Sequence, residues 1–159
     1  MIVTGGTNIF QIESGSVVRL YDDSANFTGI TEYNGYLYTI ATKTKLGLPP
    51  TCSIPKILDP DAMSSMVSCL NDVFTDRVLL AVRLQPGKIV FREIYTIHDI
   101  MIPNGMVANG KGNLIIANTT FMQGGGMIKL EISPSDPETI TTQSVWADSK
   151  NGVIDQRQL

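Results

Sequence analysis

The chain has 159 residues, 43% of them hydrophobic and 17% charged, with a formal net charge of −3. That composition excludes a disordered chain, and the scattered Lys and Arg exclude the clustered positive charge of a nucleic-acid surface. No run approaches the roughly 18 apolar residues of a membrane span. The length suits one domain with a real core, and neither nucleic acid nor membrane is expected as a partner. The opening MIVTGGTN lacks the basic and apolar regions of a secretory leader, and an exported or periplasmic origin stays open.

In chain order, residues 1–23 read as strands. Segments 9–12 and 17–21 are expected to pair as a hairpin through Ser14-Gly15-Ser16. Residues 22–26 connect to a second hairpin, 28–33 and 36–42, around Asn34-Gly35. The strand pattern then breaks over 43–76, where Pro49, Pro50, Pro55 and Pro60 cluster. Met63, Met66, Val67 and Leu70 recur at i, i+3, i+4, i+7, which predicts a short amphipathic helix near 60–72. Asp59 or Asp61 would cap it. Cys52 and Cys69 lack the C-x-x-C spacing and His partners of a zinc site, so an inert or structural role is expected.

Strands resume at 77–84 and, after Pro86-Gly87, at 88–95. An Asn104-Gly105 corner opens the stretch 102–132, followed by a short strand, the turn 109–112, and the apolar strand 113–118. The glycines 124–126 lack the Lys-Ser/Thr of a phosphate loop and read as a turn into the alternating strand 127–132. Residues 133–137 turn the chain again, and 139–146 suit an outer strand.

The units repeat. Gly29-Ile30 aligns with Gly105-Met106, Gly35 with Gly112, Leu37 with Leu114, and Ile40-Ala41 with Ile116-Ala117. A third corner begins at Asn151-Gly152-Val153-Ile154. The spacing from Asn104 to Asn151 is close to the period of a four-stranded propeller blade. The expected fold is therefore all-β, built from four-stranded antiparallel meanders, about half of a six-bladed propeller in a single domain. Its units are a partial blade at 1–23, a blade at 27–100 with the insertion 44–76, a blade at 103–148, and the start of the next at 150–159.

The run PNGM…GNLIIANT…GGGMIKLEI resembles the six-bladed propellers that include gluconolactonases (senescence-marker-like proteins), strictosidine synthase-like proteins and paraoxonases. The resemblance is specific over 102–132 and again at 150–154. It implies a central tunnel in which inner-strand Asn residues and carboxylates hold a calcium or other divalent cation, which polarises a lactone or ester carbonyl and activates water. On that resemblance Asn104 and Asn151 are the expected metal ligands, and Asp155, four residues beyond the last corner, would face the same way. Amide oxygens suit calcium, but carboxylates must neutralise its charge. Here Thr28 stands at the corner where a hydrolase of the family would carry Glu. Thr28, and Asn118 at the channel mouth, are the candidate substrate-binding positions. The other reading of Asn104 and Asn151 is that of turn residues tolerating left-handed backbone.

Two function classes follow: a metal-dependent hydrolase, or a non-catalytic propeller module that binds a protein or a small molecule. His98-Asp99 looks like a base and its orienter, but adjacent strand residues face opposite ways. The sequons at Asn26 and Asn118 are no more numerous than chance supplies. Half a ring leaves two raw sheet faces. A fragment of a longer chain, a homodimer closing the ring, or an unrelated partner would each cover them, and twofold symmetry makes the homodimer the expectation for an intact product of this length.

Overall fold

The structure is a computed structural model, and it describes residues 1–44, 73–85, 88–119 and 125–148. The described residues form eleven strands in three antiparallel sheets, each a meander whose neighbours in sequence are neighbours in space. Sheet 1 holds β1 (Ile2–Gly5), β2 (Asn8–Glu13) and β3 (Ser16–Asp22). Sheet 2 holds β4 (Asn26–Tyr33), β5 (Tyr36–Thr44), β6 (Phe74–Gln85) and β7 (Lys88–Thr96). Sheet 3 holds β8 (Ile102–Ala108), β9 (Asn113–Thr119), β10 (Gly126–Ser133) and β11 (Asp136–Asp148). The all-β expectation is met. The expected helix near 60–72, Cys52, Cys69, the turn Pro86-Gly87, Gly124, and the corner beginning at Asn151 lie outside the described residues.

Tight turns set these meanders. Asn34 and Gly35 both take positive φ, 51° and 78°, the geometry of a two-residue turn matched to strand twist. Ser14 and Gly15, at 48° and 82°, do the same between β2 and β3. After such a turn the chain can only fold back on the strand it has left.

Sheet 2 lies between the other two. Tyr38, Ile40, Leu79 and Ala81 join Leu114, Ile116, Ile128, Leu130 and Ile132 of sheet 3 in one buried cluster. Ala41, Val78 and Leu80, from the other face of the same strands, join Ile9 of sheet 1 together with Phe27. Residues 38–42 and 78–82 are consequently buried without interruption, which explains why β6 reads VLLAV and not as an alternation. β10 has sheet 2 on one side only. Its Ile128, Leu130 and Ile132 are buried, while Lys129 and Glu131 face the other way and pair at 2.7 Å.

Polar contacts pin sheet 3 to sheet 2. The Tyr38 hydroxyl donates to the Pro137 carbonyl at 2.9 Å. Glu138 accepts from Arg92 at 2.6 Å and from Arg83 at 3.4 Å, and the Arg83 guanidinium also lies over the Tyr36 ring. The Gln143 side chain bonds the backbone N–H and C=O of His98, at 3.1 and 2.6 Å.

The first strands of sheets 2 and 3 touch at their corners. Both carry a bulge, at Gly29 and at Asn104-Gly105. A Cβ placed on Gly29, whose φ is +63°, would stand 2.9 Å from the Met106 nitrogen, so only glycine fits. The ladders also correct one detail of the repeat alignment. Ile30 pairs with Thr39 and Met106 with Ile116, so the counterpart of Ile116 is Thr39 and not Ile40. Ile40 and Ile116 occupy opposite faces of their own sheets and meet across the cleft between them. A shift of one residue exchanges the faces.

Candidate functional site: a cleft between two sheets

A cavity of about 120 Å³ opens at the end of the cleft between sheets 2 and 3. Among the described residues it is lined by Asn26 and Thr28 of β4, Thr42 of β5, Phe74 of β6, Met101, and Ile102 and Pro103 at the start of β8. Strand pairing explains the grouping. Asn26 lies opposite Thr42 and Thr28 opposite Ile40, so the three polar residues share the face that looks toward sheet 3. Thr44 pairs with Phe74, so the chain leaves β5 and returns to β6 beside the same opening.

The walls are almost entirely apolar, and behind them lie two threonine hydroxyls. Thr28 Oγ1 and Thr42 Oγ1 are both buried and have no hydrogen-bond partner among the described residues. Most buried polar groups are satisfied, because an unpaired one retains its full desolvation cost. By contrast, the nearby Thr39 hydroxyl, on the opposite face, donates to the Gly29 carbonyl at 2.9 Å. None of the described lining residues carries a charge, and that lining suits a neutral molecule better than an ion.

One side of the cleft is held by a clamp on residues 97–101. Arg77 donates to the Met101 carbonyl at 3.0 and 3.2 Å and to the Phe74 carbonyl at 3.1 Å. Burial lowers the Arg77 pKa, with Asp76 acting against it. The side-chain oxygen of Asn118 accepts from the Met101 N–H at 2.9 Å. Both residues fix the position of the segment that forms the far wall.

The sequence candidates are thereby separated. Thr28 lines the cleft. Asn118 does not line it; it faces the 97–101 connection and holds its backbone. Asn104 is exposed, and its amide donates to the Thr119 hydroxyl of its own sheet. Thr28 and Asn104 occupy like places beside their bulges, Thr28 with a buried hydroxyl and Asn104 exposed. Asn151 and Asp155 lie outside the described residues. Among the described residues no group of three His, Cys, Asp or Glu side chains gathers to hold a metal. Thr28 and Asn104 offer only neutral donors, so by themselves they do not fit a divalent cation. His98 packs edge-on to Tyr95 at 6.1 Å. Thr42, Phe74 and Met101 were not foreseen as site residues. Thr42 and Phe74 flank the interrupted stretch in sequence, and only the β5–β6 pairing brings them together.

Comparison with known proteins adds no relative: the chain matches no protein-family model, no curated protein and no solved structure.

Proposed function

We propose that this chain is about half of a β-propeller and works as a non-catalytic binding module, taking a small neutral molecule into the cleft between sheets 2 and 3. Supporting the propeller reading are the three successive meanders, the packing of each sheet's face on the next, and the contact between the bulged corners of β4 and β8. The observation that carries the binding reading is the pair of buried, unpartnered hydroxyls, Thr28 and Thr42, in one apolar cavity. A guest with one or two oxygen atoms on a short hydrocarbon frame, such as a small alcohol or ketone, would bury its apolar part against Phe74, Ile102 and Pro103 and bond a threonine hydroxyl turned toward it by a change of side-chain rotamer. A volume near 120 Å³ limits it to a handful of heavy atoms.

Hydrolysis of a lactone or ester at a calcium ion is the competing reading. It would need carboxylates beside Asn104, and Asp155 is the candidate the sequence supplies. Two titrations separate the readings. A panel of short neutral alcohols and ketones is expected to raise the melting temperature of the wild-type chain and to leave a Thr28→Val, Thr42→Val double variant unmoved. Calcium is expected to produce neither heat nor stabilisation. Calcium binding accompanied by ester or lactone turnover would overturn the binding-module reading.

A further inference from the structure

We propose that Asn104 modifies itself: its side-chain amide is lost as ammonia to the backbone nitrogen of Gly105, leaving aspartate or isoaspartate, while Asn34 and Asn109 stay intact. The chain holds four Asn-Gly pairs, beginning at Asn34, Asn104, Asn109 and Asn151, and the last lies outside the described residues. The reaction begins when the peptide nitrogen of the glycine, having lost its proton, attacks the asparagine Cγ. A C–N bond forms in a five-membered succinimide, the bond from Cγ to the amide nitrogen breaks, and that nitrogen leaves as ammonia. Water then opens the ring at either carbonyl. One opening gives aspartate; the other gives isoaspartate, in which the main chain runs through the side-chain carbon. Glycine favours the attack because it has no Cβ to hinder its nitrogen.

Local chemistry is the same at the three described pairs, and the structure separates them. Attack needs the nitrogen and Cγ brought together, so it depends on how freely backbone and side chain turn. At Asn34 the turn is fixed. Tyr33 pairs with Tyr36, Asn34 and Gly35 both hold positive φ, and the Gly35 N–H donates to the Glu32 carboxylate at 2.7 Å. At Asn109 the side-chain oxygen accepts from the N–H of Lys111 at 2.9 Å and of Asn113 at 3.2 Å. The Asn109 N–H donates to the Asn113 carbonyl at 3.0 Å. Those bonds hold the carbonyl to be attacked and the backbone beside it.

Asn104 is held least. The β8–β9 register passes from Pro103 opposite Asn118 to Met106 opposite Ile116, so Asn104 and Gly105 are the unpaired residues of a bulge. Both are exposed, and a Cβ placed on Gly105 meets nothing within 4 Å, so the ring has room to close. Among the described residues the Asn104 side chain makes a single bond, from its amide to the Thr119 hydroxyl, which leaves its carbonyl oxygen unbonded. The form of the product matters to the cleft. Pro103 lines the cavity, and Met106 meets sheet 2 closely, its N and Cβ standing 2.9 and 3.1 Å from the place of a Gly29 Cβ. Isoaspartate adds a main-chain carbon between these two anchored residues, so one of them must shift; aspartate adds charge alone. The first product should deform the cavity and the second preserve it. That consequence rests on the binding reading above, whereas the chemistry at Asn104 rests on the bulge.

Incubation of the full chain at pH 8, followed by proteolysis and mass spectrometry with fragment-ion assignment, tests the chemistry. A gain of about 1 Da is expected at Asn104, and an isoaspartate-specific methyltransferase should label part of the product. In the folded chain Asn104 should convert about tenfold or more faster than Asn34 and Asn109. In urea the three rates should come within about threefold of one another, because the fold alone distinguishes them. Asn104→Gln should remove the gain at that position and leave the other sites as they were. Asn104 still intact in the folded chain when its counterpart in urea has converted, or Asn34 or Asn109 converting as fast as Asn104, would overturn the proposal. Melting temperature in the presence of short neutral alcohols and ketones reads the effect on the cleft. The Asn104→Asp chain should keep the ligand-induced rise and the isoaspartate fraction should lose it; equal rises would sever the modification from the cleft. A fresh wild-type chain whose melting temperature no such ligand moves removes the binding reading and leaves the modification standing.

Discussion

Thr28 and Thr42 form the core of the binding argument at the scale of single residues, and they carry its most direct prediction. Replacing a buried, unpartnered hydroxyl by a methyl of the same shape removes a desolvation cost, so Thr28→Val should stabilise the ligand-free chain by about 1 kcal/mol while weakening ligand binding. Urea denaturation with and without ligand checks both signs, and a destabilised Thr28→Val chain would show that the hydroxyl has a partner. Gly29→Ala should act in the opposite direction. It forces a side chain onto a φ of +63° and toward the Met106 nitrogen, at a cost of roughly 2 kcal/mol or more, read as a lower urea midpoint. Tyr38 carries a pH prediction. Burial is the main reason its pKa is pushed up to about 12 from the ordinary 10.0. The folded chain therefore retains a proton that the unfolded chain loses. This contribution is complete below pH 10 and declines as the pH rises through about 12. Tyr38→Phe should flatten the loss of stability across that alkaline window, and at neutral pH it should cost about 1 kcal/mol for the lost bond to Pro137.

Among the elements, the connection at 97–101 determines how closely sheets 2 and 3 approach at the cleft. Asn118→Ala leaves the Met101 N–H without its acceptor, which should cost roughly 1–3 kcal/mol and widen the cavity. Equilibrium unfolding and the ligand-induced rise in melting temperature should both register the change. Much of this scale was legible in the sequence. Asn34-Gly35 and Ser14-Gly15 announced two hairpins, and Met127 to Ile132 alternated as a strand with one covered face must. Pairing partners were less legible. Ile40 and Ile116 look equivalent in the repeat because each ends an apolar run, yet the ladders place them on opposite faces. β1 gave little sign of itself, since the three residues between Met1 and the pair Gly5-Gly6 are too few to display a period. Asn118 ends an apolar strand, and the bond its side chain makes to the Met101 N–H is not written in its polarity.

For the molecule as a whole, the order of the sheets governs stability. Sheet 2 is covered on both faces and sheets 1 and 3 on one each among the described residues. The backbone amides of 38–42 and 78–82 should therefore exchange slowest with deuterated solvent, and those of β3 among the fastest of the strands. Native-state hydrogen exchange checks this; equal protection across all three sheets would contradict the layered arrangement.

What the sequence determined alone was local: the all-β class, the two-residue turns, the strands, and the repeated corner with its glycine. These follow from backbone torsions and hydrophobic periodicity, which act over a few residues. What only the tertiary structure decided was the cleft. Thr28, Thr42, Phe74 and Pro103 are far apart along the chain, and strand register and sheet packing bring them to one cavity. Whether a buried threonine has a partner depends on neighbours contributed by other strands, and nothing in the order of residues states who those neighbours are.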